Sequence, residues 1–293
     1  MLMLSKSRKA FIALNVVLLT LVSLLCVTPV IHILAVSLSA SPAASAGSVG
    51  IWPIGFNIDS YRFVLAKPVF VHSFGVSLER VFLGLAVNLI LTCLVAYPLS
   101  KDAASFRHRT LFAWYFVFTI LFNGGLIPTY MTIRNFGILD SIWALVLPGA
   151  VPVFNVILLL NFFRGMPKEL EESAFLDGAG HWRILGSIYL PLSLPGLATV
   201  ALFTIVGHWN SWFDGIIYMS SPDRYPLASY LQTSLLQVDL NSLTPDKLKL
   251  LETVNDQTQK AAQIFISALP VLAAYPFLQR FFIKGLVMGS VKG

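Results

Sequence analysis

The sequence is poor in charged residues and lacks the motifs of soluble nucleotide-binding proteins. Charged residues make up 12% of its 293 residues and hydrophobic residues 56%, whereas soluble domains average roughly 25% and 45–50%. The mean hydropathy is +0.77. Because a soluble core of this size has no room for so much apolar surface, we expect a membrane protein.

Cysteine, metal-ligand and catalytic patterns are also absent. Cys26 and Cys93 fall within apolar runs, where a thiol behaves as a small hydrophobic group. The five histidines show no metal-ligand spacing with cysteine or acidic residues, so no metal site is predicted. No phosphate-binding Gly-x4-Gly-Lys-Ser/Thr loop is present, and no spacing supports a catalytic triad or carboxylate pair. We therefore expect no cofactor in this chain and no enzyme activity.

Six apolar runs approach the ~20 residues that cross a bilayer. Prolines interrupt several of them, which membrane helices tolerate when neighbours satisfy the freed carbonyls. We predict an all-α membrane protein, with residues 1–293 as a single transmembrane domain. The approximate spans are 11–36, 73–99, 111–133, 142–163, 188–209 and 261–283. The prolines expected to break them are Pro128, Pro148, Pro152, Pro191, Pro195, Pro270 and Pro276.

The first run has two interpretations. Basic residues precede it and small residues follow it at 40–46, as in a secretory signal peptide. A signal-peptide core is typically about 7–15 residues, however, and this run is longer. The length favours an uncleaved first helix.

Lysine and arginine residues predict the orientation of the spans. With the N-terminus in the cytoplasm, basic residues cluster in the short inner segments, as the positive-inside rule requires. Both termini and the loop 165–187 are then cytoplasmic, while the segments 37–72 and 210–260 lie outside. The net charge of +6 reflects this pattern; because the basic residues form no dense patch with aromatics, nucleic acid is not an expected partner.

The loop 165–187 contains a predicted short helix. Pro167 suits the first helical position, and Glu169, Glu171 and Glu172 follow in the first turns, where carboxylates complement the positive helix end. Gly178 suits the left-handed position that ends a helix. A helix this short is marginal alone in water, so it requires a partner surface. The alternative from these residues alone is a capped connector with solvated acids.

The stretch Glu172-Ser173-Ala174-Phe175-Leu176-Asp177-Gly178, followed by Ile188-Tyr189-Leu190-Pro191, resembles the EAA loop of ABC-importer permeases of the carbohydrate, maltose-transporter-like, six-helix branch. Ser173 departs from the usual alanine. The resemblance implies a type I importer permease whose cytoplasmic coupling helix docks on a separate ATPase. The implied coupling residues are Glu171, Glu172, Ser173, Ala174, Asp177, Gly178, Ile188, Leu190 and Pro191.

The C-terminal sequence 285–293 is similar to the tail of the same permeases, which reaches the interface between the ATPase subunits. This implies contacts from Gly289, Lys292 and Gly293; the alternative is a frayed terminus.

The resemblance also implies the partners: a second permease subunit in a heterodimer, two ATPase subunits that bind ATP and Mg²⁺, and an extracytoplasmic solute-binding protein. The expected location is a bacterial-type inner membrane. Polar residues in or beside the runs are candidates for a cargo path, although helix-to-helix hydrogen bonding is the commoner role for such groups. The candidates are Asn88, Asn123, Asn155, Trp209 and Asn210.

We therefore predict a permease that imports a sugar or oligosaccharide, possibly derived from a polysaccharide, by alternating access. Two alternatives remain open: a permease of the same kind for a non-carbohydrate solute, and a channel or scaffold that needs no nucleotide.

Overall fold

A computed structural model describes residues 6–236 and 255–290 of the chain. All regular structure in these ranges is helical, as predicted. Short 3-10 turns at Leu147–Gly149 and Pro222–Arg224 and one π-helical turn at Leu185–Tyr189 join some of the helices. The helices are α1 (Lys6–Ser37), α2 (Ser41–Ser45), α3 (Asp59–Leu65), α4 (Pro68–Ser100), α5 (Arg109–Leu121), α6 (Leu126–Asn135), α7 (Ile142–Val146), α8 (Val153–Arg164), α9 (Lys168–Leu176), α10 (His181–Ile184), α11 (Leu190–Leu192), α12 (Leu194–Asn210), α13 (Phe213–Tyr218), α14 (Leu227–Leu236) and α15 (Asp256–Ser290).

The chain divides into two compact units. The first contains the residues up to Val71 together with Thr233–Leu269, and the second contains His72–Gln232 together with the residues from Pro270 onward. In the first unit, α1 is largely apolar and exposed on every side over residues 10–32, with Leu14 69% and Leu25 71% exposed, whereas Ala35 and Ser37 in its last turn are buried. A helix that is hydrophobic all round requires lipid or another subunit around it.

Three helices are long and apolar enough to cross a membrane: α1, α4 and the part of α15 at Asp256–Phe277. Three pairs of helices, each bent at a short break, lie where the other three runs were predicted. The angle is 116° between α5 and α6, 51° between Ile142–Gly149 and α8, and 81° between His181–Leu192 and α12. The described residues therefore hold three continuous candidate spans, and six if each bent pair is one span.

The breaks in these pairs correct part of the proline prediction. α5 and α6 separate at Asn123–Gly125, where Gly125 has φ +88° and Asn123 Oδ1 accepts its N–H at 2.8 Å. Pro128 lies in the first turn of α6, where a missing N–H is harmless. Pro152 does precede α8, as predicted.

The prolines of the last span were also expected to break it, and they do not. Pro270 and Pro276 both lie inside the continuous α15. Proline removes one hydrogen bond and clashes with the preceding turn, but the helix continues through both positions. In the fifth run, Pro191 lies inside α11 and the bend follows at Ser193.

The second unit has its core where α4, α8, the π-helical turn and α12 meet. Side chains from all four elements are buried together, including Ala96, Leu159, Leu185 and Val200. Half-buried residues of the loop after α8 pack against the same cluster, so this core fixes the position of α9.

Candidate functional site

The short helix predicted in the loop 165–187 is present as α9, Lys168–Leu176. Pro167 is the residue that caps the helix, with ψ 129°, and Lys168 is the first helical residue. This corrects the sequence prediction by one position, because the extended ψ of Pro167 excludes it from the helix. Glu169 and Glu171 lie in the first turn, where they complement the positive end of the helix dipole.

The end of α9 is a complete Schellman motif. Gly178 adopts φ +79°, its N–H donates to Phe175 O at 3.0 Å, and Ala179 N–H donates to Ala174 O at 2.9 Å. These two bonds satisfy carbonyls that the helix end would leave without partners. The predicted left-handed position of Gly178 is confirmed.

The two faces of α9 have different surroundings. Glu171 is partly buried, whereas Glu172, Ser173 and Leu176 are exposed, with Leu176 89% accessible. At 100° per residue, those three side chains lie on the face away from Glu171. The helix therefore attaches to its own chain by one face and presents the other.

Glu171 attaches α9 to two other elements. Its Oε1 accepts a hydrogen bond from Lys101 Nζ at 2.7 Å, and its Oε2 accepts one from Tyr189 OH at 2.5 Å. Lys101 Nζ also donates to Tyr189 OH at 3.0 Å. The same ammonium lies 3.9 Å from the ring centroid of Tyr97 and 4.1 Å from that of Tyr189. We name Lys101, Glu171 and Tyr189 the clamp.

Burial and pairing act in opposite senses on the charges of the clamp. Burial raises the pKa of Glu171, but hydrogen bonds from Lys101 and Tyr189 and the charge of Lys101 outweigh it, so the net pKa is below the ordinary value. Burial lowers the pKa of Lys101, and Glu171 only partly opposes this. Loss of one partner would leave the other buried and unpaired, which is costly.

A second ion pair joins the same parts of the chain at the surface. Lys168 Nζ, on α9, lies 2.6 Å from Asp102 Oδ2, and both side chains are largely exposed. The hydrogen bond between them lowers the pKa of Asp102 and raises that of Lys168. Solvent screens such a pair, so it contributes little compared with the buried clamp. Clamp and surface pair both line a cavity of about 530 Å³.

The predicted coupling residues divide between the two faces. Glu172, Ser173, Asp177, Gly178 and Pro191 are exposed. Ala174, Ile188 and Leu190 instead pack against the core of their own unit, and Glu171 belongs to the clamp. The sequence pattern therefore combines a presented surface with the residues that hold it in place.

A second cavity, of about 400 Å³, lies in the same unit between α4, α8 and α12. The break before α8 lines it with Pro148, Gly149 and Pro152. Asn88 and Asn155 both line the cavity and are 4% exposed. Among the described residues, Asn88 Oδ1 has no hydrogen-bond partner, and Asn155 Nδ2 donates to Thr204 Oγ1 at 3.4 Å.

Arg80 also lines this cavity and is 2% exposed. Its guanidinium pairs with the Asp214 carboxylate through both terminal nitrogens. It also donates to Ser211 O at 3.2 Å, to Leu145 O at 3.4 Å and to His208 Nδ1 at 3.4 Å. The guanidinium of Arg80 therefore donates its hydrogen bonds within its own chain and presents no unpaired charge to the cavity.

The other cargo-path candidates lie elsewhere. Asn123 belongs to the turn between α5 and α6, and Trp209 is buried edge-on against Phe74 with ring centroids 5.6 Å apart. Asn210 is exposed and donates to Val206 O at 2.9 Å. In the predicted tail contact, Gly289 falls in α15, while Lys292 and Gly293 lie outside the described residues.

Sequence reasoning missed Arg80, Asp214 and Lys101. Arg80 had a usable signal, since an ionisable residue inside an apolar run, here beside Glu79, indicates a functional or structural site by default. Lys101 had none, because a lysine just after a span is equally expected from the positive-inside pattern. Only the fold shows that it turns inward.

Comparison with known proteins identifies the class. Residues 63–287 match the family described as the binding-protein-dependent transport system inner membrane component, so the chain belongs to this family of ABC-importer permeases, and the predicted family is confirmed. Such permeases are non-catalytic membrane subunits that work with a separate ATPase and a solute-binding protein, as the sequence predicted.

Two relatives and one solved structure are similar over nearly the whole chain. Protein LplC of Bacillus subtilis (strain 168) is 39% identical over 99% of this chain and 97% of its own. The polygalacturonan/rhamnogalacturonan transport system permease protein YtcP of the same organism is 38% identical over 92% and 94%. A bacterial ABC transporter involved in the import of the acidic polysaccharide alginate contains a chain with TM-score 0.86 and 31% identity, covering 96% and 100%.

Proposed function

We propose that this chain is one of two permease subunits of an importer for oligosaccharides derived from a polysaccharide. In this proposal it forms a single transmembrane domain with six spans and both termini in the cytoplasm. Each bent helix pair then counts as one span, and the basic residues that flank the spans support this orientation. A second, different permease and two ATPase subunits that bind ATP and Mg²⁺ complete the complex.

The observation that carries the proposal is the difference between the two faces of α9: one face is held to its own chain and the other is exposed. Glu171 holds one face to the membrane helices through Lys101 and Tyr189, while Leu176 is 89% exposed on the other. Leu176 is not alone, because Leu170, Phe175 and Trp182 in the same segment are also exposed large apolar side chains. Several exposed apolar groups close together favour a protein partner. We propose that α9 is the coupling helix and that Glu172, Ser173, Asp177 and Gly178 form its ATPase-facing surface.

In this proposal, transport follows when the contacts between the subunits change and favour a different state of the permease. Closing of the ATPase subunits moves α9, and the clamp passes this movement to α4 and to the π-helical turn. The ATPases can shift the permease between inward- and outward-facing states only through contacts that differ between those states. The predicted tail contact of Gly289, Lys292 and Gly293 would add a second such contact.

Saccharide cargo is supported by the relatives and by the chemistry of the second cavity. YtcP and the alginate importer are named for polysaccharide-related transport. Buried amide and hydroxyl groups at Asn88, Asn155 and Thr204 suit the hydroxyl groups of a sugar. Discontinuous helices form the substrate sites of many transporters, and the break before α8 lines this cavity. We propose that Asn88 and Asn155 line the cargo path.

Cysteine accessibility tests the orientation and the coupling surface together. In a Cys26→Ser background, Leu176→Cys should react with a membrane-impermeant maleimide only after permeabilisation of right-side-out vesicles. Trp52→Cys, which is 81% exposed in the segment predicted to lie outside, should react in intact vesicles. Leu176→Cys should also cross-link to the ATPase, and the control Trp52→Cys should not. The reverse labelling pattern would overturn the topology.

ATP hydrolysis by the reconstituted complex tests the cargo class. Binding protein loaded with galacturonate or alginate oligosaccharides should raise hydrolysis and drive uptake into proteoliposomes. Stimulation by amino acids or ions in place of glycans would favour the non-carbohydrate permease. Uptake that continues without ATP would favour the channel.

A further inference from the structure

The C-terminal end of α4 is a meeting point of several elements. Arg164, the last residue of α8, donates to Leu99 O at 3.2 Å. Arg109, the first residue of α5, donates to Lys101 O at 3.1 Å. The last carbonyls of a helix have no partner within the helix, and cations complement its negative end. Both arginines hold the end of α4 without involving α9.

Lys101 connects α9 to the C-terminal end of α4. Its side chain is 8% exposed, and its ammonium has Glu171 Oε1 and Tyr189 OH as acceptors and two aromatic rings within about 4 Å. An ammonium over an aromatic face gains electrostatic stabilisation that grows when water is excluded. Lys101 is therefore held on several sides by α4, α9 and the π-helical turn.

The π-helical turn brings Tyr189 into position. Leu185–Tyr189 is the one π-helical turn in the described residues, and Tyr189 is its last residue. Its hydroxyl donates to Glu171 and accepts from Lys101, so it completes a triangle of hydrogen bonds. Turns of this kind interrupt the regular helix ladder and are frequent at functional sites.

Flexible positions flank α9 on both sides of the clamp. Gly165 precedes the helix, and Gly178 and Gly180 follow it. If α9 were attached through its backbone alone, movement imposed on the helix would be absorbed at these glycines. The clamp bypasses them, because it joins the middle of α9 directly to the end of α4.

We propose that Lys101 is a positioning residue for transport: with Glu171 and Tyr189 it transmits movement of α9 to α4 and to the π-helical turn. The inference rests on the proposed function of α9 as the coupling helix. Transmission of the movement requires the charged pair of Lys101 and Glu171. The ammonium and its hydrogen bonds fix the direction of the contact, whereas apolar packing would not.

The test measures uptake per ATP hydrolysed in proteoliposomes containing the full complex and loaded binding protein. Lys101→Met should leave basal ATP hydrolysis within about twofold of wild type while uptake per ATP falls at least tenfold. Lys168→Met is the matched control, because it removes the exposed pair between α9 and the same segment. Its uptake per ATP should stay within about twofold of wild type.

Two further variants separate transmission from folding. Lys101→Met with Glu171→Leu replaces the pair by apolar groups, which often preserves stability. It should assemble yet remain uncoupled, and its thermal stability should fall only by the modest cost of leaving the Tyr189 hydroxyl without these two partners. The charge exchange Lys101→Glu with Glu171→Lys should recover part of the coupling. If Lys101→Met does not assemble, this apolar double variant supplies the decisive measurement.

Wild-type uptake per ATP in Lys101→Met or in the apolar double variant would overturn the inference, because packing would then suffice. Failure of the proposed function gives a different result. In that case the wild-type complex itself would show no ATP-dependent uptake, and Leu176→Cys would not cross-link to an ATPase.

Discussion

Two buried ion pairs lie along α4, and they are built differently. Arg80, in the N-terminal half of α4, pairs with Asp214, and Lys101, just after its last residue, pairs with Glu171. We call the two sites the Arg80 end and the Lys101 end. About 20 residues separate the two cations along the helix, or roughly 30 Å at 1.5 Å per residue. The two pairs are therefore far enough apart to be altered independently.

The partners of the two cations explain the difference in role. Arg80 binds a carboxylate, a histidine and the backbone carbonyls of Ser211 and Leu145, and its planar fork fixes all of them in one geometry. Lys101 is a point charge on a flexible stem. We infer that the Arg80 end locks the helix breaks in place, whereas the Lys101 end joins α4 to α9, the helix that moves in the proposed mechanism.

The largest expected effect is loss of the Arg80 end. Arg80→Met leaves Asp214 without its counter-charge, although Ser211 Oγ and Gly215 N–H still donate to Asp214 Oδ1. Breaking a buried pair on one side costs about 3–5 kcal/mol. We expect the melting temperature of the complex in detergent to fall strongly. Arg62→Met removes an exposed pair with Asp59 and serves as the control. A normal melting temperature for Arg80→Met would mean that this end is not a lock.

The second effect concerns the end of α9. Gly178 has φ +79° and nothing within 4 Å of an added Cβ, so a substitution is limited by the backbone and not by a clash. Gly178→Val should lower uptake at least tenfold, because a β-branched residue is strained there. Gly178→Asn should retain most of the uptake, since asparagine tolerates this region. Equal uptake by the two variants would contradict a role for the turn.

The third effect tests whether the Arg80 end borders the cargo path. Asn88→Leu or Asn155→Leu should raise the KM for oligosaccharide uptake about tenfold with little change in basal ATP hydrolysis. Each loses an amide that faces the cavity. Asn161→Leu is the control, because Asn161 lies on the same helix as Asn155 but is exposed outside the cavity. A uniform effect of all three would argue against a site in the cavity.

The smallest effect is the pH dependence of the clamp. The pKa of Glu171 lies below its ordinary value of 4.5, so its ionised form is stabilised by folding. The resulting stability is present above 4.5 and is lost as pH falls through the lower, folded pKa. Wild type should therefore melt above Glu171→Gln by a constant margin from pH 7 to about 5, and that margin should shrink in stronger acid. A margin that grows in acid would have the wrong sign.

Particular residues show how far the sequence could predict the site. The apolar runs were visible because an apolar stretch of about 20 residues with few charges is typical of a membrane-spanning helix. Gly178 was visible because a left-handed helix end favours glycine. The breaks within the spans were harder to predict from the sequence. Pro270 and Pro276 lie in an unbroken helix, while Asn123–Gly125 forms a sharp bend. Whether a proline breaks a membrane helix depends on neighbours that satisfy the freed carbonyl.

By itself, the sequence determined the all-helical class, the family and the capped helix in the loop 165–187, because each depends on residues close together in the chain. Only the tertiary structure decided which face of α9 is presented and which is held. Glu171 and Glu172 are adjacent and chemically identical, yet they point in different directions from the helix. The partners of Glu171 come from positions 101 and 189, and no local pattern brings those positions together.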